Sequence, residues 1–155
     1  GKELAPICKN WAGSDISSNM LMHAQKRLVD AENTSLVELS KVGLHEFADE
    51  KFDLVYSTVV FMHLFEWDRY TYVKEAFRVL RPGGKCFVDN LDITSETGKN
   101  MFLEGHSYEV DERPDYLSMI SSGDELESYL HWAGFTNVEL LRWDNAWVGA
   151  YGTKM

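Results

Sequence analysis

The sequence predicts an α/β fold with a mainly parallel sheet. Short apolar segments alternate with amphipathic segments along the chain, which favours right-handed crossovers between parallel strands. Residues 52–57 are apolar enough to form a strand buried on both faces, as in parallel sheets. Near the end of the chain, two strand candidates flank Asp144 and Asn145, a pair typical of a β-hairpin turn.

The first part of the chain is predicted to contain a strand, a helix and a second strand. Residues 11–15 form a short strand that ends on Asp15, and residues 35–39 form the next strand. Ser17 is a typical N-cap and predicts a helix that runs to about Ala31. The apolar positions expected on its inner face are Met20, Leu21, Ala24 and Leu28. An acidic residue therefore lies between a strand and a capped helix.

A second helix is predicted over residues 68–80, followed by a strand over 85–89. The helix carries a core-facing stripe with the spacing of an amphipathic helix. The members of the stripe are Val73, Ala76, Phe77 and Leu80. Residues 81–84 end the helix, since proline cannot continue it and glycine supplies a turn with positive φ.

The last part of the chain is predicted to contain an irregular segment, a helix and a hairpin. Residues 91–121 are polar and rich in aromatic residues, without helical or strand periodicity, and are interpreted as a substrate lid. A capping box at the start of residues 122–134 predicts a helix there. Residues 138–143 and 147–153 form the two hairpin strands.

The composition fits one globular domain over residues 1–155. A formal net charge of −10 without a basic cluster disfavours nucleic acid as a partner. Cys8 and Cys86 lack metal-ligand spacing and indicate a reducing compartment. The sequence predicts no metal site, no membrane span and no signal peptide, so cytoplasmic location is the expectation.

Four segments of the sequence carry a resemblance to a known family. They are residues 13–21, 52–64, 75–84 and 133–138. In their order and spacing they resemble the class I S-adenosylmethionine-dependent methyltransferases of the broad small-molecule group. The resemblance implies a Rossmann-like sheet of seven strands whose C-terminal hairpin makes one strand antiparallel.

The resemblance also implies a central first strand and a glycine-rich loop, neither of which is in this sequence. Residues 1–8 look like the tail of the helix that follows that loop. Two explanations stay open. The sequence is part of a longer protein, or a second copy of the chain completes the sheet by strand exchange, which would make a homodimer.

The same resemblance assigns cofactor contacts. Asp15 would accept hydrogen bonds from the ribose hydroxyls, and Ile16 and Met20 would flank the adenine; Ser57 and Thr58 would contact the methionine end or the acceptor. The alternatives are an aspartate placed by a helix dipole, ordinary core residues, and hydroxyl residues that end a strand. The acidic residue that the family often has after the third strand is missing from residues 39–44, and the Ser40 hydroxyl or a backbone carbonyl could substitute for it.

Two histidines are candidate catalytic residues. His63 lies just beyond the strand that ends at Ser57, and His106 lies in the irregular segment; either is a candidate general base, and a structural role is the alternative for both. A set of aromatic and methionine side chains would form an acceptor pocket or, alternatively, a small core. Its members are Met101, Phe102, His106, Tyr108, Tyr116, Met119, Trp143 and Trp147.

These observations predict methyl transfer from S-adenosylmethionine to a small-molecule acceptor, with the methylated atom (O, N or C) left open. The alternative is an inactive methyltransferase-like subunit that binds a partner, because the glycine-rich loop is absent. A nicotinamide-dependent oxidoreductase could also use Asp15. The C-terminal hairpin and the turn at residues 81–84 disfavour it.

Overall fold

The computed structural model describes residues 1–155, which form six strands and four α-helices. The strands are β1 (Trp11–Asp15), β2 (Thr34–Glu38), β3 (Phe52–Ser57), β4 (Leu80–Leu91), β5 (Thr136–Trp143) and β6 (Trp147–Thr153). The helices are α1 (Ser18–Arg27), α2 (Glu66–Val79), α3 (Glu96–Ser107) and α4 (Gly123–Ala133). The chain divides into two compact units, Gly1–Phe47 and Ala48–Met155.

The first unit contains β1, α1 and β2. The two strands pair in parallel, from Trp11 opposite Thr34 to Asp15 opposite Glu38. Ser17 is the N-cap of α1, as predicted, and its hydroxyl accepts a hydrogen bond from the Met20 amide. The residues before β1 form a single 3₁₀ turn, Ala5–Ile7, instead of a longer helix tail.

Helix α1 corrects two predictions. It ends at Arg27 and not near Ala31. Its first turn is not part of a core, because Met20 is 56% exposed, whereas Leu28 at the other end is 5% exposed. The helix starts at the strand tip and runs back along the sheet, so its first turn lies where the strands have ended.

The second unit has a four-stranded sheet in the order β3-β4-β6-β5. Strands β3 and β4 are parallel, and β6 is antiparallel to both of its neighbours. Asp144 and Asn145 adopt φ values of 53° and 49°, the left-handed backbone of a type I′ hairpin turn. The predicted hairpin and its single antiparallel strand are therefore confirmed.

Helices α2 and α4 cover one face of this sheet. The stripe predicted on α2 is confirmed, since Val73, Ala76 and Leu80 are buried in the main core with Phe77 packed against it. Gly134 ends α4 with a φ of 104°, as the sequence predicts. Strand β4 begins at Leu80, directly after α2, and is longer than the predicted 85–89.

Two further predictions for this unit are wrong. Strand β3 is not buried on both faces, because Leu54 is 47% exposed. Residues 91–121 are not irregular throughout, because they contain α3, which Ser95 caps by accepting a hydrogen bond from the Gly98 amide. A Cβ on Gly98 would lie 2.0 Å from the Asp92 carbonyl oxygen, so the glycine that weakens the helical pattern is required by close packing.

The two sheets account for all six strands of residues 1–155. Strand β1 pairs with β2 alone, and β3 pairs with β4 alone, so each leaves one edge without a partner strand. None of the helices combines the length and apolar character needed to cross a membrane.

Candidate active site

In the first unit, Asp15 ends β1 and is half-buried. Its Oδ1 accepts a hydrogen bond from the Ser17 amide at 2.8 Å, and the carboxylate makes no other hydrogen bond in the chain. The amide bond fixes the orientation of the carboxylate and leaves Oδ2 available. A fixed carboxylate with a free oxygen at a strand tip suits a ligand that offers hydroxyl groups.

Ile16 and Met20 lie beside this carboxylate in sequence and are 49% and 56% exposed. The alternative interpretation of both as core residues therefore does not hold for this structure. Large apolar side chains gain free energy when a flat apolar ligand covers them. Ser17 lies between these two positions and holds the first turn of α1 in place.

The neighbouring strand tip carries an acidic group that the sequence analysis missed. The Ser40 amide and hydroxyl both donate hydrogen bonds to Oε1 of Glu46, at 2.9 and 2.6 Å. The Ser40 side-chain and backbone hydrogen bonds lower the pKa of Glu46, so its carboxylate is charged at neutral pH. Because the Leu39 amide donates to the Asp15 carbonyl oxygen at 2.9 Å, the ends of β1 and β2 are adjacent.

In the second unit, the ends of β3 and β4 lie side by side, with Ser57 opposite Val88. Ser57 is half-buried and Thr58 is exposed. The Val59 amide donates a 2.7 Å hydrogen bond to Oδ1 of Asp89, which is 3% exposed. Val59 has a φ of 61°, which is rare for a β-branched residue and marks local strain.

His63 is exposed and ends the 3₁₀ turn Phe61–His63 that follows β3. The buried guanidinium of Arg69 holds this turn, since its Nε donates to the Phe61 carbonyl oxygen at 2.9 Å. The same guanidinium donates to Glu125 and to the Met119 carbonyl oxygen. The sequence analysis did not find Arg69, although it fixes the backbone on which His63 lies.

His106 is exposed in the last turn of α3. The residues predicted to form one aromatic pocket make separate contacts in different parts of the unit. Trp143 stacks on Trp147 at 6.4 Å between ring centroids and also contacts Phe87 at 6.3 Å. Tyr108, in contrast, lies near Tyr116, which raises the pKa of its phenol. These contacts do not join the predicted set in a single cluster.

A polar cluster lies where β4 ends and α3 begins. Oδ2 of the buried Asp92 accepts a hydrogen bond from Nε of Arg142 at 2.9 Å, and its Oδ1 accepts from the Thr94 amide and hydroxyl. Burial raises the pKa of Asp92, but the hydrogen bonds from Thr94 and Arg142 outweigh burial, so its pKa lies below the ordinary value. Every oxygen of Asp92 thus has a partner, which is typical of a structural carboxylate.

The remaining reactive groups do not form a site. Cys86 is buried, and burial raises the pKa of its thiol to about 12, which makes it unreactive. Cys8 is half-buried and also free. No group of three or more His, Cys, Asp and Glu side chains in residues 1–155 is arranged to hold a metal ion.

Comparison with known proteins agrees with this architecture. The profile of a family described as "Methyltransferase domain" matches residues 2–88. A probable S-adenosylmethionine-dependent methyltransferase of Mycolicibacterium smegmatis is 29% identical over an alignment of 143 residues, and the match covers 88% of this chain and 52% of the relative. Phosphoethanolamine N-methyltransferase 1 of Zea mays is 25% identical over an alignment of 131 residues, and the match covers 81% of this chain and 23% of the relative.

Solved structures share the fold. A protein from Pyrococcus horikoshii OT3 superimposes with a TM-score of 0.76 at 19% identity, covering 99% of this chain and 75% of its own. A possible histamine N-methyltransferase from Thermotoga maritima has a TM-score of 0.70 at 22% identity, covering 92% of this chain and 72% of its own. The fold is thus that of the Rossmann-like methyltransferases.

The chain belongs to the methyltransferase family, because the family profile covers more than half of its residues. S-adenosylmethionine is the cofactor of this class of enzyme. The chain spans about half of the length of one curated relative and about a quarter of the other.

Proposed function

We propose that this chain binds the adenosyl part of S-adenosylmethionine at the tip of β1 and serves methyl transfer to a small-molecule acceptor. The free Oδ2 of Asp15 is the observation that carries the proposal. It would accept hydrogen bonds from the ribose hydroxyls, while Oδ1 stays on the Ser17 amide. The exposed side chains of Ile16 and Met20 would cover the two faces of the adenine.

We further propose that Glu46 accepts a hydrogen bond from the amino group of the adenine. The Ser40 hydroxyl was one of the two substitutes expected from the sequence, but it already donates to Glu46. Glu46 is charged and retains a second carboxylate oxygen. It therefore supplies the acidic hydrogen-bond acceptor that residues 39–44 lack. Glu46 lies in the same compact unit as Asp15.

In the second unit, Ser57 and Thr58 stay our proposed contacts to the methionine end or the acceptor. His63 is the proposed base or orienting group, because the Arg69 guanidinium fixes its turn and its imidazole is exposed. His106 is a weaker proposal, because it lies on the exposed side of α3 and no contact orients it. No observation favours the inactive alternative.

Calorimetric titration with S-adenosylhomocysteine tests the cofactor site. The comparison is Asp15→Asn, which keeps the acceptor for Ser17 but removes the charge, against Asp30→Asn, which removes the same charge from an exposed turn of the same unit. Losing charge-assisted hydrogen bonds costs about 1.5–3 kcal/mol, so Asp15→Asn should weaken binding roughly 10- to 100-fold. Unchanged affinity in Asp15→Asn would exclude the proposed ribose contact.

The same titration on a version extended at its N-terminus tests the expectation of a missing glycine-rich loop. The extended protein should bind more tightly, because the loop would add close backbone contacts to the cofactor. If neither version binds S-adenosylhomocysteine, the proposed function fails.

A further inference from the structure

Asp89 is the one buried carboxylate of the second unit whose hydrogen bonds are incomplete. Its Oδ1 accepts from the Val59 amide at 2.7 Å, and no other hydrogen bond or ion pair reaches the carboxylate. Every side-chain oxygen of the chain that is shielded from solvent has a hydrogen-bond partner. Because Oδ2 of Asp89 has no partner, it must be accessible to solvent. A carboxylate that is 3% exposed but open at one oxygen is placed to receive a group from outside.

The backbone at Val59 fixes which oxygen is open. A φ of 61° is strained for valine, and the hydrogen bond to Asp89 holds the amide in that conformation. The amide and the carboxylate therefore orient each other, and the contact occupies Oδ1 and leaves Oδ2 without a partner. Val59 and Val60 are 52% and 41% exposed, so the loop beside the carboxylate is open.

Aromatic rings line the same face of the sheet. Phe87 and Asp89 are two residues apart on β4 and share a face, and Asp89 pairs with Gly149 of β6. The rings of Phe87 and Trp143 lie over Gly149, because a Cβ there would be 2.7 Å from Phe87 and 3.1 Å from Trp143. Trp147 extends this surface by stacking on Trp143.

The buried carboxylate and the aromatic rings together favour a cationic ligand. Burial raises the pKa of Asp89, partly offset by the Val59 amide, because no positive charge compensates the carboxylate. A bound organic cation would supply that charge, and the π faces of the aromatic rings attract its alkyl-ammonium substituents. A neutral hydroxyl would leave the buried charge uncompensated.

We infer that Asp89 and the rings of Phe87, Trp143 and Trp147 form the acceptor site, and that the acceptor is an amine that arrives as its ammonium form. The inference rests on the proposed methyltransferase function. An ammonium that passes one proton to Oδ2 becomes a neutral amine with a free lone pair, and Asp89 becomes the neutral acid. Asp89 is thereby assigned as the residue that binds the ammonium and accepts its proton, which leaves His63 the orienting role of its two proposed roles.

A series of three probes on one carbon skeleton tests the inference without knowledge of the natural acceptor. Benzylammonium, benzyl alcohol and benzoate are titrated into the ¹⁵N-labelled protein, and the Val59 amide reports on Asp89 directly. We expect a saturable shift of this amide with benzylammonium and at least tenfold weaker responses with the other two. Equal responses to the alcohol, or no saturable shift at Val59, would overturn the inference.

Two variants sharpen the test. Asp89→Asn keeps an acceptor for the Val59 amide and should weaken benzylammonium binding at least tenfold. Asp53→Asn removes a charge from an exposed residue of β3 and should leave binding unchanged. Benzylammonium binding that survives in Asp89→Asn counts against the site. If that variant does not fold, the three probes on the unchanged protein decide alone.

S-adenosylhomocysteine added to the same samples separates the two proposals. It should shift the amides of Asp15 to Met20, whatever happens at Val59. A response to benzylammonium at Val59 without a response to S-adenosylhomocysteine at Asp15 would support an ammonium site and would contradict the cofactor site. A response at Asp15 without one at Val59 would support the cofactor site and would contradict the assignment of Asp89 to the acceptor site.

Discussion

The guanidinium of Arg69 is expected to be the most costly single group to remove from this chain. It is 1% exposed and donates to Glu125 and to the carbonyl oxygens of Phe61 and Met119. Arg69→Met keeps much of the side-chain volume but removes the charged donor to Glu125 and one of the two donors to the Phe61 carbonyl oxygen, which keeps the Leu64 amide. Removing one partner of a fully buried ion pair costs about 3–5 kcal/mol, and because the Glu125 side chain is 25% exposed we expect the lower end, about 3 kcal/mol.

Urea unfolding followed by tryptophan fluorescence measures this cost. With a slope of about 2 kcal/mol per M, a loss of about 3 kcal/mol moves the midpoint down by about 1.5 M. Arg81→Met is the matched control, because Arg81 is 52% exposed and pairs with an exposed Asp53, an arrangement worth at most about 1 kcal/mol.

A loss below about 1 kcal/mol in Arg69→Met would refute the reasoning that the buried network depends on this charge. Should the variant fail to fold, Arg69→Lys retains the charge with fewer donors and should give an intermediate midpoint. Glu125→Gln completes the comparison, since it keeps an acceptor for Arg69 without the charge.

Three further predictions concern stability. Asp89→Asn should raise the melting temperature at neutral pH. Folding raises the pKa of Asp89 above its unfolded value of 3.8, because the buried carboxyl prefers its neutral form. The stability that the neutral carboxyl supplies is present below pH 3.8 and is lost as the pH rises through the folded-state pKa. Melting curves from pH 4 to 8 should therefore show the advantage of Asp89→Asn growing with pH, and a constant difference contradicts this assignment. Gly134→Ala should cost about 1–2 kcal/mol, because φ is 104° and a Cβ would lie 3.1 Å from Phe77. Gly105→Ala inside α3, where a Cβ meets only Leu117 at 3.6 Å, should be neutral or stabilising by about 1 kcal/mol.

Much of the fold could be predicted because the decisive signals are local. The hydroxyl of Ser17 acts on an amide three residues away, Gly134 acts through its own φ, and Asp144 and Asn145 form their turn alone. Helix α3 escaped prediction for a reason that is not local. Gly98 breaks its pattern and is required only because the chain folds back onto the Asp92 carbonyl oxygen.

The residues of the candidate site likewise divide into those that local sequence signals predict and those that depend on distant contacts. Asp15 was predictable because a strand, an acid and a capped helix follow one another directly in the sequence. Arg69 and Asp89 were not, because their partners Glu125 and Val59 lie 56 and 30 residues away. Glu46 is only six residues from Ser40, but the loop that joins them has no periodic pattern that would predict the contact.

The adjacent pair Asp89 and Asn90 shows what the structure adds to the sequence. Both interrupt the apolar strand β4, so the sequence alone treats them alike. The amide of Asn90 donates to the hydroxyl of Ser121 and to the Met119 carbonyl oxygen, and its own oxygen accepts from the Leu91 amide. Asn90 is therefore fully satisfied within the chain and serves the fold. Asp89 keeps an unpaired oxygen and a buried charge, a cost to stability that a cationic ligand would remove.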